Sequence, residues 1–374
     1  MRIGVDVRCL MNPAYSGVGI YTLNLLRAVF ELDRVNQYVL FYNSSRPVKL
    51  PKFDYPNVEY IDYRYPNKLF NLSVNFFNWP KLDDLVGVCD VFLTPNLHFT
   101  AYSNRCRKVM VVHDLSFILF PEFFSFKVRL WHKLILSKNY LKQADVIVAD
   151  SVNTKNNLID LLKIGSEKIK VIYPGVGNEF KVLDQNDSVL KQVKDKYDLP
   201  DKFILYLGSL EPRKNIESIV EAYLGLSCQP EWQHALVIGG GTGWKNKTIH
   251  RLVKDYSKIK LIGYVAEKDK PALYNLAEMF IYPSYYEGFG LPPLEAMACG
   301  TPVIAGANSS LFEAVDMAGL LVDPYNLNDI RLAIEAIAND NDLKYDLTVK
   351  GLQQVKKFKW DKTAQELLEC FKWL

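Results

Sequence analysis

No apolar run in the 374-residue chain approaches the roughly 18 residues needed to cross a bilayer as a helix, so a transmembrane class is not expected. The six cysteines (Cys9, Cys89, Cys106, Cys228, Cys299 and Cys370) are scattered without a CxxC pair, and the five histidines form no cluster. Neither a disulfide framework nor zinc is expected, and a reducing cytoplasm is the simple reading. A formal charge of +3 is too small to imply a nucleic-acid partner. The opening stretch Met1-Arg2-Ile3-Gly4-Val5-Asp6-Val7-Arg8 carries charges where a secretory leader has its apolar centre. Repeats of solenoid length, low-complexity tracts and a clean GxGxxG after the first strand are also missing. No convincing DxD metal motif appears: Asp83-Asp84 reads as the solvated face of a helical stretch.

What is present is a soluble globular composition, 49% hydrophobic and 23% charged, in a chain long enough for two or three domains. Short β-rich runs alternate with helical patterns, which argues for βαβ units and parallel sheets. Twelve strands are expected. Six lie at Arg2–Cys9, Tyr38–Tyr42, Asp90–Leu93, Lys108–His113, Val146–Ala149 and Lys170–Tyr173. Six more lie at Phe203–Gly208, Ala235–Gly239, Lys258–Ile262, Met279–Tyr282, Val303–Ala305 and Leu320–Val322. Most are apolar at consecutive positions, as strands covered on both faces must be. The turn-rich Tyr173-Pro174-Gly175-Val176-Gly177-Asn178 marks the linker.

The most informative segment is Tyr286-Glu287-Gly288-Phe289-Gly290-Leu291-Pro292-Pro293-Leu294-Glu295, which follows the strand ending at Tyr282 and enters a compact helix from Pro293 to Cys299. Gly300 can stop that helix in a left-handed conformation. Glu287 is thus expected in a glycine loop at the C-terminal end of a strand, and Glu295 in the first helical turn behind it. In an open α/β sheet this crevice is where ligands bind. Gly288 and Gly290 let amides approach a ligand, and the helix N-terminus suits phosphate. A carboxylate beside a phosphate is repelled, so the two glutamates are better placed to accept hydrogen bonds from hydroxyls, which a nucleotide sugar has in quantity. Upstream, Gly208-Ser209-Leu210-Glu211-Pro212-Arg213-Lys214-Asn215 brings two cations to a strand end, with Asn215 as a plausible N-cap for a helix from Ile216 to Leu226. Gly17-Val18-Gly19 precedes the helix Ile20–Leu32 and can expose backbone amides. Gly239-Gly240-Gly241-Thr242-Gly243 reads as a flexible loop, and His113 ends its strand as a neutral imidazole able to donate or accept.

The run from Gly263 to Pro324, through Tyr282-Pro283-Ser284, Glu287-Gly288-Phe289-Gly290, Glu295-Ala296-Met297-Ala298 and Gly300-Thr301-Pro302-Val303, closely resembles the family 4 retaining glycosyltransferases. Their signature, two glutamates separated by seven residues, is met by Glu287 and Glu295. The likeness covers nearly the whole chain and weakens between about Asn43 and Asp84. It implies an α/β GT-B fold, two Rossmann-like doubly wound domains facing across a cleft: an acceptor domain at 1–177, a donor domain at 178–355, and a C-terminal helix at 356–374 returning to the first domain.

The resemblance also implies roles. Arg213 and Lys214 bind the donor pyrophosphate, Glu287 the donor-sugar hydroxyls and Glu295 the ribose hydroxyls. His113 positions the sugar, with Asp114 capping or orienting. The backbone near Gly263-Tyr264-Val265 touches the base. Gly17 and Gly19 lie near the donor phosphate and acceptor, and Ser209, Gly288, Phe289, Gly290 and Leu291 complete the donor site. Transfer with retention by front-face attack, without metal or cofactor, follows from the family; GDP-mannose is the expected co-substrate. The expected acceptor is a saccharide or lipid-linked saccharide of bacterial-type surface polysaccharide synthesis. A nucleotide-sugar epimerase of the same fold and a non-catalytic sugar-nucleotide binding protein stay open as alternatives.

Two aromatic regions, Leu69-Phe70 to Phe76-Phe77-Asn78-Trp79 and Leu119 to Lys133, mix rings with Lys and Arg. They suit a peripheral contact with the inner face of a membrane, and equally a buried helix with a solvated face.

Overall fold

The computed structural model describes residues 1–12, 15–137, 140–241, 247–253 and 256–372. The chain falls into two compact units, Met1–Gly175 with Trp360–Leu374, and Val176–Lys359. The sequence placed these breaks at 177 and 355.

Among the described residues the first unit carries seven strands: β1 (Arg2–Asp6), β2 (Gln37–Asn43), β3 (Val58–Tyr63), β4 (Val91–Thr94), β5 (Arg107–Val112), β6 (Val146–Ala149) and β7 (Ile169–Val171). All pair in parallel in the order 3-2-1-4-5-6-7. The second unit carries β8 (Phe203–Leu207), β9 (Ala235–Gly239), β10 (Ile259–Gly263), β11 (Met279–Tyr282), β12 (Val303–Gly306) and β13 (Leu320–Val322), in the order 10-9-8-11-12-13 and again all parallel. Each sheet is therefore doubly wound. Its order reverses between its first and fourth strands, and the crevice beyond that switch point is the ligand position of the fold.

β3 is the strand the sequence reading missed. Val58-Glu59-Tyr60-Ile61-Asp62-Tyr63 breaks its apolar residues with Glu59 and Asp62 and lies at the sheet edge, half exposed. It lacks the continuous apolar run of the strands buried on both faces. The other twelve lie within a few residues of their expected positions.

Two apolar layers cover the first sheet. On one face, α1 (Gly17–Leu32) and the Trp360–Lys372 helix pack together over Ile3, Val5 and Leu40. On the other, α2 (Asn67–Phe77) and the Phe126–Ser137 helix contribute Phe70, Val74 and Ile135 to a cluster with Phe92, Met110 and Val112. Side chains alternate across a strand, so Val109 and Val111 belong to the first cluster and Met110 and Val112 to the second.

Among the described residues no helix is long and apolar enough to cross a membrane. Asp83 does not lie on a solvated face as expected. It is buried and accepts from the backbone N–H and hydroxyl of Ser103, while its neighbour Asp84 pairs with Arg105 at the surface.

Candidate active site

The loops after β8 and β11 meet at the switch point of the second sheet. β8 is followed by a short 3-10 turn, Pro212–Lys214, ended by Asn215 in a left-handed conformation. That turn aims Arg213 and Lys214 at the β11 loop. Lys214 Nζ donates to Glu287 Oε1 and to Tyr282 Oη, both at 2.7 Å. Arg213 Nη1 donates to Glu287 Oε2 at 3.0 Å, and its Nη2 donates to Glu211 Oε1 at 2.9 Å. All four charged side chains are about nine-tenths buried, so two cations and two carboxylates balance within one desolvated cluster. The carboxylate of Glu287 anchors both cations.

The electrostatics follow. Burial alone raises the Glu287 carboxyl, but the charges of Arg213 and Lys214 overcome it and hold the group down at about 2. Lys214 is shifted down, first by burial and then by the adjacent Arg213. An uncompensated charge left in this desolvated cluster would be strongly disfavoured.

A third loop braces the site. After β12, Ser309 Oγ accepts from the Glu287 N–H at 3.0 Å, Ser310 Oγ donates to the carbonyls of Glu287 and Phe289, and Asn308 Nδ2 donates to Tyr285 O. Glu211, Tyr282 and this Asn308–Ser310 bracket are what the sequence reading left without roles. Its available signal was the Asn-Ser-Ser run at the end of a strand, where side chains that bond to backbone are expected.

Gly290 has φ +109°, and a Cβ there would lie 2.7 Å from Leu311 Cδ2, so a residue without a side chain is required. It precedes the helix Leu291–Ala298, which starts two residues earlier than expected because Pro292 fits the first turn. Glu295 consequently sits in the second turn, not the first. It is buried and accepts from Tyr274 Oη at 3.0 Å; burial raises its carboxyl, against the opposing pull of Lys270. Gly300 is left-handed at φ +78°, as expected.

Other expected donor residues divide between backbone and core. The Phe289 ring is buried edge-on against Phe358, so only the main chain of that residue is left to face a ligand. Gly288 and Leu291 are half-buried and Ser209 is exposed. Val265 is buried beside Gly239, and Tyr264 is 61% exposed. Gly240 N donates to Gly263 O at 2.7 Å, tying the β9 and β10 loops together. Thr242 and Gly243 of the glycine run lie outside the described residues. Asn215 occupies the expected N-cap position of the helix Ile216–Ser227, but its side chain makes no cap bond. It donates instead to the carbonyls of Pro283 and Pro324, stitching the β8 loop to the β11 and β13 loops.

His113, Gly17 and Gly19 belong to the first unit. His113 Nδ1 lies 2.6 Å from Asp150 Oδ2, and Nε2 lies 2.9 Å from Pro95 O. Burial disfavours the charged ring, but Asp150 outweighs it and raises the imidazole above its usual value. With acceptors on both nitrogens, the ring is held towards the imidazolium, not free and neutral as expected. Asp114 orients the next turn by accepting from the Ser116 N–H and hydroxyl. Gly17 and Gly19 are no loop: they open α1 itself. A Cβ at Gly17 would meet nothing within 4 Å, whereas one at Gly19 would press on Tyr15 Cβ at 3.1 Å and Cys9 O at 3.3 Å. Tyr21 from the same helix packs edge-on against His113 at 4.6 Å and against Trp360 at 5.5 Å.

Residues 15–180 match the Glycosyltransferase Family 4 model, and residues 190–354 match Glycosyl transferases group 1. O-antigen chain mannosyltransferase B of Escherichia coli is 32% identical over 273 residues, covering 72% of this chain and 71% of that protein. The chain belongs to glycosyltransferase family 4. This family 4 glycosyltransferase is also 34% identical over 274 residues to the serotype-specific mannosyltransferase WbdA of Escherichia coli. That match covers 71% of this chain, which spans about a third (33%) of the length of WbdA. In structure it is similar to a sucrose-phosphate synthase from Thermosynechococcus elongatus, with a TM-score of 0.78 at 22% identity over 100% of this chain and 98% of the other. Its fold is the α/β GT-B fold of two Rossmann-like domains. Among the described residues no group of three His, Cys, Asp or Glu side chains is placed to hold a metal ion.

Proposed function

We propose that this glycosyltransferase moves mannose from GDP-mannose, with retention and without a metal, to a saccharide or lipid-linked saccharide of a surface polysaccharide. The single observation that carries the donor site is the Arg213–Lys214–Glu287 cluster at the β8/β11 switch point. Mannose rests on the names of the two Escherichia coli relatives.

The cluster supplies the electrostatics this chemistry needs. A diphosphate entering the switch point meets two cations preset within 3.0 Å of one carboxylate. Arginine can grip phosphate with two N–H groups and lysine adds a point charge. As those cations turn to the diphosphate, Glu287 is released to accept hydrogen bonds from sugar hydroxyls. Charge developing on the leaving diphosphate is then stabilised by groups already in place. In front-face attack the leaving diphosphate oxygen takes the acceptor proton, the sugar–phosphate bond breaks, and the new glycosidic bond forms on the same face. Glu295, buried against Tyr274, is assigned to the ribose, and His113, locked by Asp150, to positioning the sugar.

The test is transfer from GDP-mannose, UDP-glucose and dTDP-sugars to a saccharide acceptor, with and without EDTA, with the product anomer read by NMR. The proposal expects an axial mannoside from GDP-mannose that EDTA leaves unchanged. An inverted product, dependence on added metal, or isomerised donor without transfer would each overturn part of it.

A further inference from the structure

Two tyrosines from different loops form an open aromatic step beside the donor cluster. Tyr285 lies in the loop after β11, two residues before Glu287, and Tyr325 follows β13. Their ring centroids are 4.8 Å apart, with the planes at 32°. Tyr325 is 68% exposed and Tyr285 half-buried. Both backbones are fixed. Tyr285 N donates to Arg213 O at 2.9 Å, and its carbonyl accepts from Asn308 Nδ2 at 2.8 Å. Tyr325 N donates to Asp323 Oδ1 at 2.9 Å. Asn215 Nδ2 donates to the carbonyls of Pro283 and Pro324, so one amide sets the spacing of the two loops that carry the rings. Single exposed rings are ordinary on a protein surface. A pair held in place by its loops and left open leaves a ligand little to order.

The polar rim selects the occupant. Asp323 spends Oδ1 on the Tyr325 N–H, and Asn326 spends Oδ1 on the amides of Asn328 and Asp329 at the start of the helix Leu327–Asn339. Among the described residues Asp323 Oδ2 and Asn326 Nδ2 have no partner, which leaves one acceptor and one donor on exposed residues flanking Tyr325. Asp329 adds a second carboxylate, accepting from the Asp323 N–H at 2.7 Å. Arg331 of the same helix bonds to Glu335 and Asn328, not to either acid. Two carboxylates without a paired cation repel phosphates, which disfavours a nucleotide or an anionic headgroup. An uncharged pyranose suits all three features. Its C–H face lies on a ring, one hydroxyl donates to Asp323, and another accepts from Asn326.

The strand order 10-9-8-11-12-13 puts the Tyr325 loop on the opposite side of the β8/β11 switch point from β10, which leads into the Gly263–Val265 segment expected to touch the base. We infer that Tyr285 and Tyr325, rimmed by Asp323 and Asn326, form a second saccharide subsite, which holds an uncharged pyranose of the glycan away from the reacting sugars. The subsite rests on the transfer reading for its use but not for its binding, which is measured without donor, so the two fail separately.

The full chain is titrated, without nucleotide sugar, with α-linked mannotetraose, isomaltotetraose and methyl mannoside, and contacts are read by saturation-transfer NMR from the aromatic protons. The expected result is saturation of pyranose ring protons in a tetrasaccharide. Tyr325→Ala raises its dissociation constant about tenfold, and Tyr325→Phe, which keeps the ring, holds it within about twofold. In transfer assays Tyr325→Ala raises the KM for the tetrasaccharide acceptor about tenfold and leaves kcat and the KM for methyl mannoside unchanged. Tyr285→Leu gives the same split. No binding of either tetrasaccharide to the wild type, or binding unchanged in both Tyr325→Ala and Tyr285→Leu, overturns the proposal. A loss confined to GDP affinity gives the rings to the nucleotide and overturns it too. Tetrasaccharide binding that depends on Tyr325 in a chain that transfers no sugar would uphold the subsite and reject the transfer reading.

Discussion

Lys214 and Glu287 form a 2.7 Å ion pair in which each side chain is only 9% exposed, joining the loop after one strand to the loop after its neighbour in the sheet. Arg213 closes on the other oxygen of the same carboxylate, so two adjacent cations and a carboxylate 73 residues beyond Lys214 become one unit. Cations brought out of water are held there by one shared carboxylate.

Removing that carboxylate takes from buried Lys214 the ion pair that holds it. Glu287→Gln keeps the side-chain shape and is expected to cost about 3 kcal/mol at neutral pH, because Arg213 retains Glu211 while Lys214 loses the carboxylate to which it donates. Urea unfolding of both proteins measures it. A cost under about 0.5 kcal/mol, the range of ordinary surface changes, would contradict the burial argument.

The same pair of proteins gives a pH signature. The Glu287 carboxyl lies at about 2 when folded, below its usual 4.5. Its contribution is therefore complete above 4.5 and is lost as pH falls from there towards 2. The stability gap between wild type and Glu287→Gln should stay constant from neutral pH down to about 4.5 and narrow below it. A gap that widens on acidification would reverse the sign and reject the assignment.

His113 shifts the opposite way. Its folded value is raised above 6.5 by Asp150, so its contribution is complete below 6.5 and is lost as pH rises through the folded value. The His113 ring should titrate above 6.5 by NMR. In Asp150→Asn, burial acts without the carboxylate and the midpoint should drop below 6.5. An unchanged midpoint would show that Asp150 does not control the ring.

Gly17 and Gly19 should separate under alanine substitution. Gly17→Ala adds a methyl to open space at a helix start, so stability should change by less than about 1 kcal/mol. Gly19→Ala presses on Tyr15 and the Cys9 carbonyl and should lower the melting temperature. If Gly17→Ala raises the donor KM at unchanged stability, the exposed amides at this helix start serve the ligand; an unchanged KM would remove Gly17 from the donor site.

Legibility in the sequence followed burial. Strands such as Phe203–Leu207 and Met279–Tyr282, buried on both faces, announce themselves as unbroken apolar runs. β3 does not, because an edge strand with a wet face carries acids that break its apolar run. Glu287, Arg213 and Lys214 were legible as polar residues at strand ends. Their pairing was not, because it depends on which strands are neighbours, and β8 and β11 are 71 residues apart between Leu207 and Met279. Ser310 was hidden for the same reason: it acts by bonding to carbonyls supplied by another loop. His113 was found by its position at a strand end, but its charge state is set by Asp150 at the end of the next strand.

The most direct test of the central claim, that this cluster receives the donor diphosphate, is thermal melting of the wild type and Arg213→Ala with GDP, UDP, dTDP and ADP. At 100 times its dissociation constant a nucleotide should stabilise by about 2.7 kcal/mol. The account predicts a shift with GDP, indifferent to magnesium and lost in Arg213→Ala. No shift with any nucleotide, or an equal shift in Arg213→Ala, would contradict it.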